Sequence, residues 1–100
     1  LVAGTYLARC SAPAFQVDNH FARLRNITDG TTLLNGTSEQ TGSADQVTTA
    51  SIISGRFTLA SSKVLEVQHK CVTTCATFGF GPAGLADSEV YTVVELWKIA

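Results

Sequence analysis

Charge is scarce in this chain. Only 15% of its 100 residues are Asp, Glu, Lys or Arg, where soluble domains carry about 25%. Seven basic residues against eight acidic ones leave a net charge of −1, and Arg9, Arg23, Arg25, Arg56, Lys63, Lys70 and Lys98 form no run. Nucleic-acid binding needs a concentrated basic face that releases counterions, so no nucleic-acid partner is expected. No apolar stretch nears the roughly 20 residues of a membrane span, and no membrane insertion is expected either. Methionine is missing and the chain begins at Leu1, from which the expectation is a fragment of a longer protein. No stretch of eleven or more residues shows helical periodicity behind a capping residue.

Cysteine is sparse and odd in number. Cys10, Cys71 and Cys75 cannot all pair within one chain, whereas disulfide-stapled secreted domains carry an even set of four or more. A Cys71–Cys75 bridge would close only a tiny ring. Buried or half-buried free thiols, and assembly in a reducing cytosol, are the expectation.

What fills the chain is short β-patterned segments. Thr5 to Ala12 reads as a strand that Pro13 ends, because proline removes a ladder donor. His20 to Ile27 alternates, with Phe21, Arg23, Arg25 and Ile27 on one face and Ala22 and Leu24 on the other. Asp29-Gly30 is a hairpin signal that hands over to Thr31–Thr37. Ser38 to Asp45 reads as a loop. Gly55 divides Val47–Ser54 from Arg56–Ala60, which suggests a bulge, corner or strand end. Leu65, Val67, His69 and Cys71 share one face of the next strand. Gly79 to Gly84 is a loop, and Val90 to Ile99 is apolar on both faces, as suits a central strand or one covered by another subunit. Six to eight short strands separated by Gly, Pro and Ser turns predict a single all-β domain over residues 1–100. Its expected form is an antiparallel, jelly-roll-like β-sandwich. So little charge on so small a domain points to part of its surface being covered by copies of itself.

Chemistry-bearing constellations are few. His20 and His69 fall on different strands and no Gly-x-Ser-x-Gly turn exists, so no catalytic residues are assigned. His69 and Cys71 read as a core-facing pair. Cys71 and Cys75 with His69 lack the second ligand pair that structural zinc takes, so no metal and no cofactor is assigned. The carboxylates sit mostly in turns. Asn26-Ile27-Thr28 and Asn35-Gly36-Thr37 match the glycosylation pattern, which matters only in a secreted eukaryotic protein. Phe78 and Phe80 stand on a glycine-rich loop, where they either plug the end of the sandwich or meet a ligand or a neighbouring subunit.

Several segments also occur in a recognisable order. They are Gly4-Thr5-Tyr6, Ser11-Ala12-Pro13-Ala14, the His20–Asn26 strand with Ala22-Arg23-Leu24, and Ile27-Thr28-Asp29. Gly36-Thr37-Ser38-Glu39, Gly55-Arg56-Phe57, Gln68-His69, Thr73-Thr74 to Gly79-Phe80-Gly81, Glu89-Val90-Tyr91 and Val94-Glu95-Leu96-Trp97 follow. Over nearly the whole chain they resemble the C-terminal domain at the tips of tailed-bacteriophage and prophage tail fibres. The resemblance implies a homotrimeric β-sandwich knob in the virion, made in the bacterial cytoplasm, that contacts a bacterial surface polysaccharide or other receptor. Cys10 and Cys75 depart from the family pattern, which argues against a shared disulfide or metal site. Expected receptor contacts are Asn19, His20, Phe78 and Phe80; Tyr91, Val93, Glu95 and Trp97 are the expected trimer interface or core. Two other readings stay open. One is a purely structural trimerisation clamp; the other is a secreted domain of tumour-necrosis-factor or complement-head type.

Overall fold

The computed structural model describes residues 1–75, 79–81 and 90–100. Seven strands and no helix appear among them: β1 (Gly4–Phe15), β2 (Asn19–Asn26), β3 (Thr31–Asn35), β4 (Glu39–Gln40), β5 (Thr48–Leu59), β6 (Leu65–Cys71) and β7 (Val93–Lys98). Every pairing is antiparallel. One sheet runs β5-β1-β7; in the other, β2 is flanked by β6 on one side and by β3 and β4 on the other. Tyr6, Ala8, Cys10 and Ala12 of β1, Ile53, Phe57 and Leu59 of β5, and Ala22 and Leu24 of β2 form one buried cluster. The two sheets thus face each other across a shared, alanine-rich core, in a sandwich-like arrangement.

Alternation decides which side of each strand is buried. On β2, His20, Ala22, Leu24 and Asn26 point inward while Phe21, Arg23 and Arg25 are half-exposed, as period-two patterning dictates. The Asp29-Gly30 turn is present, with Gly30 in the left-handed region (φ 67°). Asn26 braces it, accepting from the Asp29 amide and donating from Nδ2 to Asp29 Oδ2.

Three sequence expectations need correction. Pro13 does not end β1; it stands opposite Ala50 within a twelve-residue strand. The amides of Thr5 and Phe15 both point away from β5, to Ala100 and Gly79. Pro13 shares their parity, and β7 stops at the Ser11–Val93 pair, so among the described residues its missing donor has no ladder to complete. Gly55 likewise does not divide β5. It pairs with Ala8 in unbroken register, and a Cβ there would come within 2.8 Å of Leu34 Cδ2. The glycine makes room for a leucine from the facing sheet. Finally, residues 38–45 are not all loop, since Glu39 and Gln40 pair with His20 and Asn19.

Between β3 and β4, β2 lacks a neighbouring strand, and Ser51 closes the gap. Its hydroxyl, fully buried, accepts from the Ala22 amide (2.9 Å) and donates to the Thr37 carbonyl (2.6 Å). Gly36 donates to the Ala22 carbonyl so closely that any Cβ would sit 2.7 Å from that oxygen. Ser51→Ala leaves the Ala22 amide unpaired, and urea denaturation should show a loss of about 1–3 kcal/mol.

For β7, one of the two readings open in the sequence falls. Among the described residues it is an edge strand paired with β1 alone, and of its side chains Leu96 packs against the core. Val93, Glu95 and Trp97 are exposed and Tyr91 is half-buried outside the strand. None of the four belongs to the buried core of this chain. Of the two readings of its two-sided apolar pattern, a central strand or one covered by another subunit, the sheet order removes the first.

Candidate functional site

The distal pole of the molecule is built on the turn from β1 to β2. Gln16 and Asp18 both adopt left-handed backbone conformations (φ 56° and 59°), uncommon outside glycine. Their neighbours hold them there. Thr41 Oγ1 accepts from the Val17 amide at 2.9 Å, and the Thr41 amide donates to the Asp18 carbonyl. The Thr73 and Val72 amides reach the carbonyls of Val17 and Asn19, and the Thr73 hydroxyl donates to the Asp18 carboxylate.

Beside this turn lies a feature that the linear sequence hides. His20 stands opposite Cys71, and His69 opposite Ala22. The two imidazoles are therefore diagonal neighbours on one face, within reach of each other. His20 Nδ1 lies 2.7 Å from His69 Nε2 and His20 Nε2 lies 2.8 Å from Thr49 Oγ1. The bonds link β2 to β6 and, through Thr49 of β5, to the other sheet. At 2.7 Å one proton fits between the two rings and a second would oppose it, so the pair favours neutrality.

Burial pushes the His20 pKa below 6.5, with Glu39 pulling weakly the other way; burial and then the nearness of His20 lower His69 as well. The folded chain thus binds fewer protons than the unfolded one below the ordinary histidine value. Stability from this source is whole above about pH 6.5 and drains away as pH falls through the lowered values. Thermal midpoints should be flat between about pH 7 and 8 and decline below about 6.5, with the slope reduced in His69→Gln. A midpoint unchanged down to about pH 5 would contradict it.

Asn19 and His20 line a cleft of about 450 Å³, together with Phe21, Glu39, Gln40 and Lys70. His20 is only 3% exposed and forms its wall; Asn19 is exposed at the rim. Phe80 lies elsewhere, 62% exposed, its ring 6.2 Å from His69, over a smaller hollow lined by Ala14, Val17, His69 and Cys75. The structure thus brings two of the expected contacts to one cleft and sets Phe80 apart from them, while Phe78 lies outside the described residues.

Cys10, Cys71 and Cys75 are free thiols, and Cys71 is exposed. The expectation of a core-facing His69–Cys71 pair is therefore corrected. Among the described residues β6 pairs with β2 alone, and Cys71 is its last residue. Burial raises the Cys10 pKa, which makes that thiol inert at neutral pH. Of the two glycosylation patterns, Asn26 is 3% exposed and its amide nitrogen is engaged with Asp29, which closes that position to a glycan. Asn35 is exposed.

Thr49 against His20 is a hydroxyl against a base, and Thr49 lines neither cleft. Among the described residues, no group of three or more His, Cys, Asp or Glu gathers as a metal would require. Fold and site together define an all-β, two-sheet domain with a ligand-sized cleft at one pole. No family model, curated protein or solved structure matches the chain.

Proposed function

We propose that this chain is the trimer-forming, receptor-binding tip domain of a tailed-phage tail fibre. The ordered likeness of its segments to such domains motivates the reading, and one surface carries it. On the outer face of the β5-β1-β7 sheet, Trp97 stands opposite Leu7 and Glu95 opposite Arg9. Leu7, Val93, Trp97 and Ile99 are all exposed there. An exposed apolar patch on a small, weakly charged domain marks an interaction surface, and the Arg9–Glu95 pair that interrupts it, one charge of each sign, suits contact between copies. Three copies around an axis would cover it, giving the expected interface residues Val93, Glu95 and Trp97 a partner. Many weak surface contacts then act together as firm attachment.

The test is adsorption. Purified trimer should bind host cells and, added in excess, slow adsorption of a phage carrying the same fibre tip. If the trimer forms but neither binds cells nor competes, the domain is a structural clamp that registers three chains while other parts bind. If the chain is a clean monomer at micromolar concentration, the reading fails altogether.

A further inference from the structure

We infer that the outer face of the second sheet is a binding groove for an acidic polysaccharide, a reading that rests on the attachment role proposed above. The inward burial of His20, Ala22 and Leu24 turns Asn19, Phe21 and Arg23 outward on β2. Register sets Lys70 opposite Phe21 and Gln68 opposite Arg23. Two adjoining clefts, about 450 and 270 Å³, share Phe21 and Lys70, and together they form a trough across the strands.

Its floor is a half-buried aromatic ring between two cations. Arg23 Nε donates to Gln68 Oε1 at 2.8 Å, which fixes the guanidinium while its terminal nitrogens have no hydrogen-bond partner among the described residues. The Lys70 ammonium has none either. Arg25, next along β2, is occupied by Thr32 and the Gly30 carbonyl. Of the nearby carboxylates, Glu39 lines the larger cleft beside His20, its register partner, and Glu66 accepts from Gln68 at the far end, so the acidic groups of a ligand would gather on the Lys70–Arg23 side and not beside Glu39. Asn19, Ser38 and Gln40 add amide and hydroxyl groups beside the ring.

Each part answers to one part of a sugar acid. The apolar face of a pyranose lies on Phe21, ring hydroxyls meet the amides, and carboxylates reach Lys70 and Arg23 as charge-assisted hydrogen bonds. A trough rather than a closed pocket suits a linear chain. Two available cations are few for a nucleic acid, whose affinity rests on many phosphate contacts.

The experiment uses the whole chain against immobilised acidic oligosaccharides (galacturonate and glucuronate oligomers) and neutral glucose oligomers of equal length. Acidic members should bind more tightly, and Lys70→Glu should weaken them roughly tenfold, the loss of one charged contact, while neutral members change little. Lys70 is exposed, so its thermal midpoint should stay at the wild-type value, and Phe21→Leu should weaken both sets. Equal binding of acidic and neutral members overturns the inference, as does equal competition by single-stranded DNA. Cell binding separates the two readings. Attachment that survives Lys70→Glu and Phe21→Leu sinks the groove alone; sugar binding without any attachment to cells sinks the tail-fibre role instead.

Discussion

Phe57→Ala is expected to destabilise the domain by about 3–5 kcal/mol, the usual cost of deleting a buried aromatic side chain. Phe57 is 6% exposed and stands directly opposite Tyr6 across the β1–β5 ladder. Their rings stack at 5.4 Å between centroids with 15° between planes. Around the pair the buried cluster is Ala8, Cys10, Ala12, Ala22, Leu24, Ile53 and Leu59, side chains already close-packed that can relax only partly into the hole. Tyr6 cannot swing in easily, because its hydroxyl donates to the Val2 carbonyl at 2.7 Å. For a domain of this size each kcal/mol moves the thermal midpoint by roughly 4–8 °C, so a fall of at least about 12 °C should be seen. Phe57→Leu, which leaves a smaller void, should lose less than half as much. A loss for alanine below about 1 kcal/mol would mean that this aromatic layer is not where the core's stability resides.

Trp97→Glu is expected to abolish self-association while leaving the fold intact. Sedimentation equilibrium should give the wild type three times the 10.6 kDa chain mass, and the variant the chain mass alone. Trp97 is 46% exposed and sits on the outer face of an edge strand, so a carboxylate there remains hydrated in the single chain. Between copies it would be buried without a partner, at a cost that a contact of this kind cannot absorb. The far-ultraviolet dichroism should be unchanged. The wild-type melting temperature should rise with protein concentration and that of the variant should not. Glu66→Lys, on the outer face of the other sheet, serves as the control and should keep the wild-type mass. A variant at Trp97 that still sediments as the wild type does would place the interface elsewhere.

How far the fold was legible follows from where its causes lie. Burial along β2 and the Asp29-Gly30 hairpin depend on neighbours two to ten residues away, and the alternation of His20 to Asn26 states them openly. Pro13 and Gly55 were misread because their meaning depends on partners. Whether a proline breaks a strand is decided by whether anything stands on its nitrogen side; whether a glycine divides one is decided by what leans on it, here Leu34 from a different sheet. Val90 to Ile99 left two readings open, a central strand or one covered by another subunit, and the structure removes the first. Hydrophobicity on both faces says that a strand is covered, yet not by which molecule.

The site was less legible than the fold. Asn19 and His20 were identifiable, but the contact between His20 and His69 arises from the register of strands 49 positions apart. The groove residues Phe21, Arg23 and Lys70 looked like an ordinary solvated face. Charges scattered along the chain are brought together only by pairing β2 with β6. The signal available beforehand was that an aromatic, Phe21, shares the outward row of β2 with Arg23 and Arg25.

The two chain ends lie at the pole remote from the histidines. The Thr5 amide donates to the Ala100 carbonyl, and the Leu1 ammonium to the Lys63 carbonyl, while β1 runs its whole length from there to the turn below the cleft. A pull applied between these poles therefore acts along β1 rather than across it. Its twelve register partners on β5 would be strained together in shear, and not opened one after another like a zip. Were the proposed attachment made at the cleft and the chain held at its ends, the load would fall along the direction in which this ladder resists most.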